Sequence, residues 1–443
     1  MSAEWLTMSM AALGRGIAKG EIDPVDLTQT YLDEIAANPI SDRIYARITS
    51  ERAMAEAQAA SERAKQGQRL GPLDGVPVSW KDLFDTAGVA TESGSALLKD
   101  RIPTEDAEVL KAATAAGLIC LGKTHMSELA FSGLGFNPIT QTPPNVNDHD
   151  AVPGGSSSGA GASVAFNLAP CGVGSDTGGS VRIPAAWNDL VGLKTTVGRV
   201  STKGCVPLCD KFDTVGPLCR TVEDAALMLA ALEGGQAADL KGASLTGKRV
   251  LVLKTVAMDD VRDAPMAAFE SAVGRLQDGG ATVDRGEIPE VSDAISLSGI
   301  LFTTEAYGIW KDTIEANPDA MFPEILERFR IGAGFSGADY VAAWQTLERL
   351  RSAYLRKTAG YDAVILPTSP ILPPNVARLQ SDHDYYVTEN LLALRNTRIG
   401  NVLGLAGLTL PTGIPSCGIM FLTPPDTEEN LLRLGFAAEN ALA

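Results

Sequence analysis

Two serines and a lysine are the residues of this chain best suited to breaking an acyl bond. Ser156 lies in the run Gly154-Gly155-Ser156-Ser157-Ser158-Gly159, and Ser180 closes Ser175-Asp176-Thr177-Gly178-Gly179-Ser180, ahead of Val181 and Arg182. Lys81 stands upstream in Gly75-Val76-Pro77-Val78-Ser79-Trp80-Lys81-Asp82. Ala160 to Leu168 is small and apolar and reads as a helix; Cys171 to Gly174 reads as a short strand. A helix of about twelve residues carries the chain roughly 18 Å away, and a strand with a loop of similar reach returns it. Ser156 and Ser180 are therefore expected at one spot, beside a helix N-terminus that favours negative charge. For Lys81, the apolar neighbours Trp80, Leu83 and Phe84 favour burial, while Asp82 offers a salt bridge. The residues alone leave a functional and a surface lysine equally open.

Rival motifs are weaker. Gly117 to Thr124 matches the phosphate-loop spacing, but its inner residues are Leu-Ile-Cys-Leu. These want burial as a strand, whereas a phosphate loop needs exposed backbone N–H groups. Gly155 to Gly159 also matches the nucleophile elbow of α/β-hydrolases, with Ser157 as nucleophile. That fold needs a histidine later in the chain, and only His383 qualifies, inside the polar run Ser381-Asp382-His383-Asp384. Cys205 and Cys209 have no second close pair and no nearby histidine, so no zinc site is expected. Flexible linkers are not usually set in apolar flanks as these Gly/Ser runs are.

Taken together, these segments resemble the amidase signature enzymes, whose hallmark is a Ser–cis-Ser–Lys triad in a Gly/Ser-rich stretch. The resemblance covers the lysine segment, Gly122 to Glu128, Val152 to Lys194, Asp213 to Pro217 and Arg220 to Asp224, and thins from about Gly242. Two departures stand out: Lys194-Thr195-Thr196 in place of the usual Lys-Pro-Thr, and a shortened stretch after Leu410. The resemblance implies a mixed central α/β sheet covered by helices on both faces. It makes Ser180 the nucleophile, Ser156 the bridging serine after a cis bond at Gly155–Ser156, and Lys81 a neutral base. It gives the oxyanion to the backbone N–H groups of Thr177, Gly178, Gly179 and Ser180. Ala130, Phe131 and Ser132 would line the acyl pocket, with Gly155, Asp176 and Arg182 as supports. Residues 300–343 are expected to complete the pocket. The implied reaction is hydrolysis of a carbon–nitrogen amide bond in a small molecule, with no cofactor and no metal. The alternatives are the glutaminase subunit of an amidotransferase, an α/β-hydrolase-type serine esterase and a catalytically silent binding protein. The intact triad argues against the last, and the C-terminal departures argue against the first.

The elements that must position these groups read as alternating helices and strands. Two helices are expected over 6–37, split at Gly20, and others over 51–65, 107–116 and 265–276. Strands are expected over 78–81, 118–121, 249–253 and 363–366. Such alternation implies a sheet covered on both faces. The 443 residues are read as a single domain, with a weakly marked junction near 234–247.

Composition sets the outer limits. A hydrophobic fraction of 45% supplies a large core, and no apolar run approaches the ~20 residues of a membrane span. The first residues make a poor signal peptide. A formal charge of -17 speaks against nucleic-acid binding, since phosphates want a basic face. The six scattered cysteines fit a reducing cytoplasm. A homodimer is compatible with all of this.

Overall fold

The computed structural model describes residues 3–443. Its strands are β1 (Tyr45–Ile48), β2 (Pro77–Lys81), β3 (Ile119–Thr124), β4 (Cys171–Asp176), β5 (Val191–Lys194), β6 (Thr214–Cys219), β7 (Arg249–Leu253), β8 (Thr282–Gly286), β9 (Ala363–Pro367), β10 (Ala406–Pro411) and β11 (Gly418–Thr423). They form one sheet in the order β1-β3-β2-β4-β6-β5-β10-β11-β9-β7-β8. β2 runs parallel to β3 and β4, and β7 runs parallel to β8 and β9; the other pairs are antiparallel. The sheet is thus mixed, and it continues across the 234–247 segment.

Every residue of β2, β3, β4, β5, β6, β9 and β11 is buried. Burial on both faces is why several of them read as unbroken apolar runs instead of alternating ones. The cover is helical. Val222–Glu233 packs on β6 and β5, Glu428–Leu442 on β10 and β11, and Asp263–Asp278 on β9 and β11. None of the helices among the described residues is long and apolar enough to cross a membrane.

The helix starts have local causes. Asp23 caps Pro24–Ala37 by accepting from Val25 N, and Pro24 occupies the first turn, where its missing N–H costs nothing. Gly20, at φ 72°, ends the preceding helix region. Asp382 caps His383–Val402 by accepting from Tyr385 N at 3.0 Å. The phosphate-loop look-alike is β3 itself. A methyl group on Gly122 would meet Arg47 O of β1 at 2.4 Å, so this glycine serves strand pairing.

Candidate active site

Strand register delivers the lysine. In the parallel pair of β2 and β4, Trp80 lies opposite Val173, so one step later Lys81 comes level with Gly174, next to Ser175. Lys81 Nζ lies 2.8 Å from Ser175 Oγ and 2.6 Å from Ser156 Oγ. Ser156 sits just ahead of the Ser158–Ala165 helix, after a cis bond at Gly155–Ser156. The two serine runs are laced by the residue between them. Ser157 N donates to Ser180 O at 3.2 Å, and Ser157 Oγ donates to Ser175 O at 3.2 Å while accepting from Ser175 N at 3.3 Å. Ser157 is therefore a strut with no histidine beside it. His383 instead lies 3.2 Å from Glu324, and burial pushes the His125 ring down to about 4. Ser180 Oγ enters none of the hydrogen bonds that hold the two runs together.

The loop between β4 and the Arg182–Trp187 helix is held by a carboxylate. Asp176 accepts from Arg182 Nε and Nη2, both at 2.9 Å, from Asn401 Nδ2 at 2.8 Å, from Gly179 N at 2.9 Å and from Val181 N at 3.2 Å. Burial alone would raise the Asp176 carboxyl, but the Arg182 guanidinium outweighs it and holds the group at about 2. Arg182 also donates to Thr397 O at 2.8 Å and to Asn401 Oδ1 at 2.7 Å. Both charges are fully enclosed, with their polar atoms matched, which is what a buried pair requires. Of the four N–H groups expected to take the oxyanion, that of Gly179 donates to Asp176 in this structure. Gly179 is needed for another reason. Its φ is 137°, and a methyl group there would meet Thr397 Oγ1 at 2.0 Å. At Gly155 a methyl group would meet Gly135 N at 2.5 Å.

Burial dominates the electrostatics of the lysine. It brings the Lys81 ammonium from 10.5 down to about 7, against the opposing pull of Asp213 and Asp176. The Asp213 oxygens accept from other donors: Thr177 Oγ1 at 2.5 Å, Leu208 N at 2.9 Å and Cys209 N at 3.1 Å. Asp82 is not the partner of Lys81. It pairs with Lys123, whose Nζ lies 3.2 Å from Asp82 Oδ1.

Two cavities border the residues picked out from the sequence. A small cavity is lined by Leu83, Ala130, Ser175, Thr177, Cys205 and Asp213. A larger one of about 290 Å³ is lined by Phe131, Phe302, Arg328, Asn390, Leu391 and Arg398, among others.

The sequence profile of the Amidase family spans residues 26–432. The chain belongs to this family. It is 34% identical to a 2-amino-5-chloromuconic acid deaminase of Comamonas testosteroni, over 98% of the chain and 96% of that protein. It is 32% identical to a glutamyl-tRNA(Gln) amidotransferase subunit of Roseiflexus, over 98% and 95% of the two. Among solved structures, an amidase superposes with a TM-score of 0.87 at 29% identity, over 98% of this chain and all of that one. The chain is an amidohydrolase with the amidase signature fold.

Within this amidase the sequence-derived residues fall into separate places. Lys81, Ser156 and the Thr177–Ser180 segment come together. Ala130 lines the small cavity and Phe131 the larger one. Ser132 lines neither; its Oγ donates to Asn390 Oδ1 at 3.2 Å and accepts from Tyr386 OH at 3.1 Å, so it fixes the wall from behind. Residues 300–343 do reach the larger cavity, through Phe302, Thr303, Glu324, Glu327, Arg328 and Ile331. Ser175, Asp213 and the whole contribution of His383–Val402 escaped the sequence reading. Ser175 had a signal, since it opens the same run as Ser180. The departure at Lys194-Thr195-Thr196 is structural: Lys194 Nζ donates to Thr195 O and Leu405 O, each at 2.7 Å. Among the described residues no three His, Cys, Asp or Glu side chains group to hold a metal, and Cys205 and Cys209 are free thiols.

Proposed function

We propose that this amidase cleaves a small-molecule amide through an acyl-enzyme on Ser180. The observation that carries the reading is the 2.6 Å contact between Lys81 Nζ and Ser156 Oγ at a lysine that burial brings down to about 7. A lysine so enclosed is neutral in a large fraction of molecules at neutral pH and accepts a proton. Ser180 Oγ attacks the amide carbonyl. Its proton passes to Ser156 Oγ, and the Ser156 proton passes to Lys81 Nζ. The N–H groups of Thr177, Gly178 and Ser180 take the negative charge on the carbonyl oxygen. The proton then returns from Lys81 through Ser156 to the departing nitrogen as the carbon–nitrogen bond breaks. Water repeats the sequence on the ester, releasing the acid and restoring the Ser180 hydroxyl.

The reading includes a chain that acts alone or as a homodimer in the cytoplasm, a location supported by six free thiols in the folded chain. The amidotransferase subunits among the relatives favour one competing reading, a glutaminase that works only with partner chains. One experiment separates the two. The purified chain is incubated with a fluorophosphonate, digested and mapped by mass spectrometry, and ammonia release is measured over a panel of amides without added protein. Label on Ser180, absent in Ser180→Ala, together with turnover by the chain alone, is the expected result. Label elsewhere would remove Ser180 as nucleophile, and turnover only with a partner would favour the glutaminase reading.

A further inference from the structure

The larger cavity holds two arginines, neither of which is paired with a carboxylate. Arg328 comes from the Pro323–Arg330 helix and Arg398 from His383–Val402. The Arg328 guanidinium lies over the Phe131 ring at 4.5 Å, and its Nη1 is buried with no hydrogen-bond partner. Arg398 lies 6.0 Å from the centre of the Phe302 ring. Burial lowers Arg398 to about 9, and the charge acting beside it is that of Arg328, which repels. Burial likewise lowers Arg328 to about 10, with Tyr386 and Cys209, both neutral, opposing that shift. Glu324 and Glu327 line the same cavity but turn toward His383, Glu324 at 3.2 Å from its Nδ1 and Glu327 at 3.9 Å from its Nε2, and neither makes an ion pair with Arg328 or Arg398. Arg182, the fully enclosed arginine beside the 176–180 loop, by contrast meets Asp176. Two partly buried like charges against aromatic walls, with no carboxylate in contact, favour an anion that completes the site.

The pair is also close to the reaction. Thr397 Oγ1, next to Arg398 in sequence, donates to Gly178 O at 2.8 Å. A methyl group placed on Gly178 would stand 4.0 Å from Arg398 Nε. An anion held by Arg398 therefore lies within a short acyl chain of the carbonyl over the 178–180 segment. Asn390 adds a neutral donor to the same wall, because its Oδ1 is occupied by Gly133 N at 2.9 Å and its NH2 is left over from that bond.

We propose that Arg328 and Arg398 bind a carboxylate of the substrate, so that the preferred substrate is a short amide bearing a free carboxylate, of the kind a dicarboxylic acid monoamide provides. The proposal rests on the acyl-Ser180 reading above. Guanidinium groups suit it because their planar donors match a carboxylate in pairs.

The test compares the monoamide of a short dicarboxylic acid with its methyl ester, which keeps the shape and loses the charge. The wild-type chain should favour the acid by about 10²- to 10³-fold in kcat/KM, since an unfilled charged site rejects the neutral analogue. In Arg398→Met and Arg328→Met that ratio should fall toward one, and Arg398→Lys should recover part of it. Equal kcat/KM for the two substrates in the wild type, or an unchanged ratio in both Met variants, would overturn the proposal. A binding measurement avoids turnover altogether. Calorimetry should show the matching dicarboxylate binding to Ser180→Ala and binding at least about tenfold more weakly once Arg398→Met is added; equal binding refutes the assignment. Fluorophosphonate labelling keeps the two readings apart. If Ser180 is labelled and the acid is not preferred, the arginine assignment alone fails. If Ser180 is unlabelled and neither amide turns over, both fail.

Discussion

Replacing Lys81 with methionine should abolish turnover and stabilise the fold. Burial brings this lysine from 10.5 to about 7, a difference of 3.5 pH units between unfolded and folded chain. At 1.36 kcal/mol per unit, holding the ammonium inside costs about 5 kcal/mol wherever both states are protonated, which is below about pH 7. Between about pH 7 and 10.5 the unfolded chain binds a proton that the folded chain does not. Wild-type stability therefore rises with pH across this window, by about 1.4 kcal/mol per unit from this group, and the cost is gone above 10.5. Methionine removes the cost and fits the volume. It also forfeits the contacts to Ser156 and Ser175 at 2.6 and 2.8 Å, worth roughly 1 kcal/mol each. The net gain for Lys81→Met should be about 2–3 kcal/mol at about pH 7, shrinking to zero or reversing by about pH 9. Urea denaturation of both proteins at several pH values measures it, alongside ammonia release. A variant less stable than wild type at neutral pH, or a stability difference that does not change with pH, would refute a lysine that is buried and mostly neutral. Retained turnover would remove Lys81 from the chemistry.

Other outcomes follow from the same geometry. Wild-type kcat/KM should rise with pH through an inflection near 7, with about one-eleventh of the plateau one unit below it; a flat profile across that range would contradict a lysine base. Arg182→Leu leaves Asp176 buried and unpaired, so it should cost about 3–5 kcal/mol in denaturant titration, and a loss under about 1 kcal/mol would mean the pair does not brace the loop. Gly179→Ala should lower kcat sharply, because the new methyl group meets Thr397 Oγ1 at 2.0 Å; full activity would show that the loop has room to move. Exhaustive chelation should leave ammonia release unchanged, since no metal-binding group of side chains exists among the described residues, and metal-reversible loss would contradict the scheme.

What was legible in the sequence was what is local. The catalytic candidates sit in three short segments whose glycines and serines are required by close backbone approach. Strands such as Arg249–Leu253 and Ala363–Pro367 announce themselves as apolar runs. β11 went unread although its centre, Ile419 to Leu422, is an unbroken apolar run. β5, β6 and β10 did not stand out, because glycine, proline and threonine interrupt them. Gly216 in β6 shows why: a methyl group there would lie 1.9 Å from Leu193 O of β5, so strand packing demands the residue that hides the strand. The 175–180 run was legible as a segment, but the donation of Gly179 N to Asp176 depends on a side chain whose direction only the fold sets. The arginines of the larger cavity were invisible for a different reason. On amphipathic helices they read as solvent-facing charge, and only packing against Phe131 and Phe302 turns them inward.

The order of strands in the sheet bears on how the protein is made. β1 to β6 come from residues 45–219 and β7 to β9 from residues 249–367, but β10 and β11, between β5 and β9, come from residues 406–423. The same late part of the chain supplies Thr397 and Asn401, which clamp the segment leading to Ser180. A growing polypeptide on the ribosome therefore carries Lys81, Ser156 and Ser180 long before it has the parts that hold them in register. The nascent chain is expected to stay inert toward the amides around it until β10 and β11 have emerged. A premature stop codon ahead of β10 yields a chain containing every reactive group and no working site.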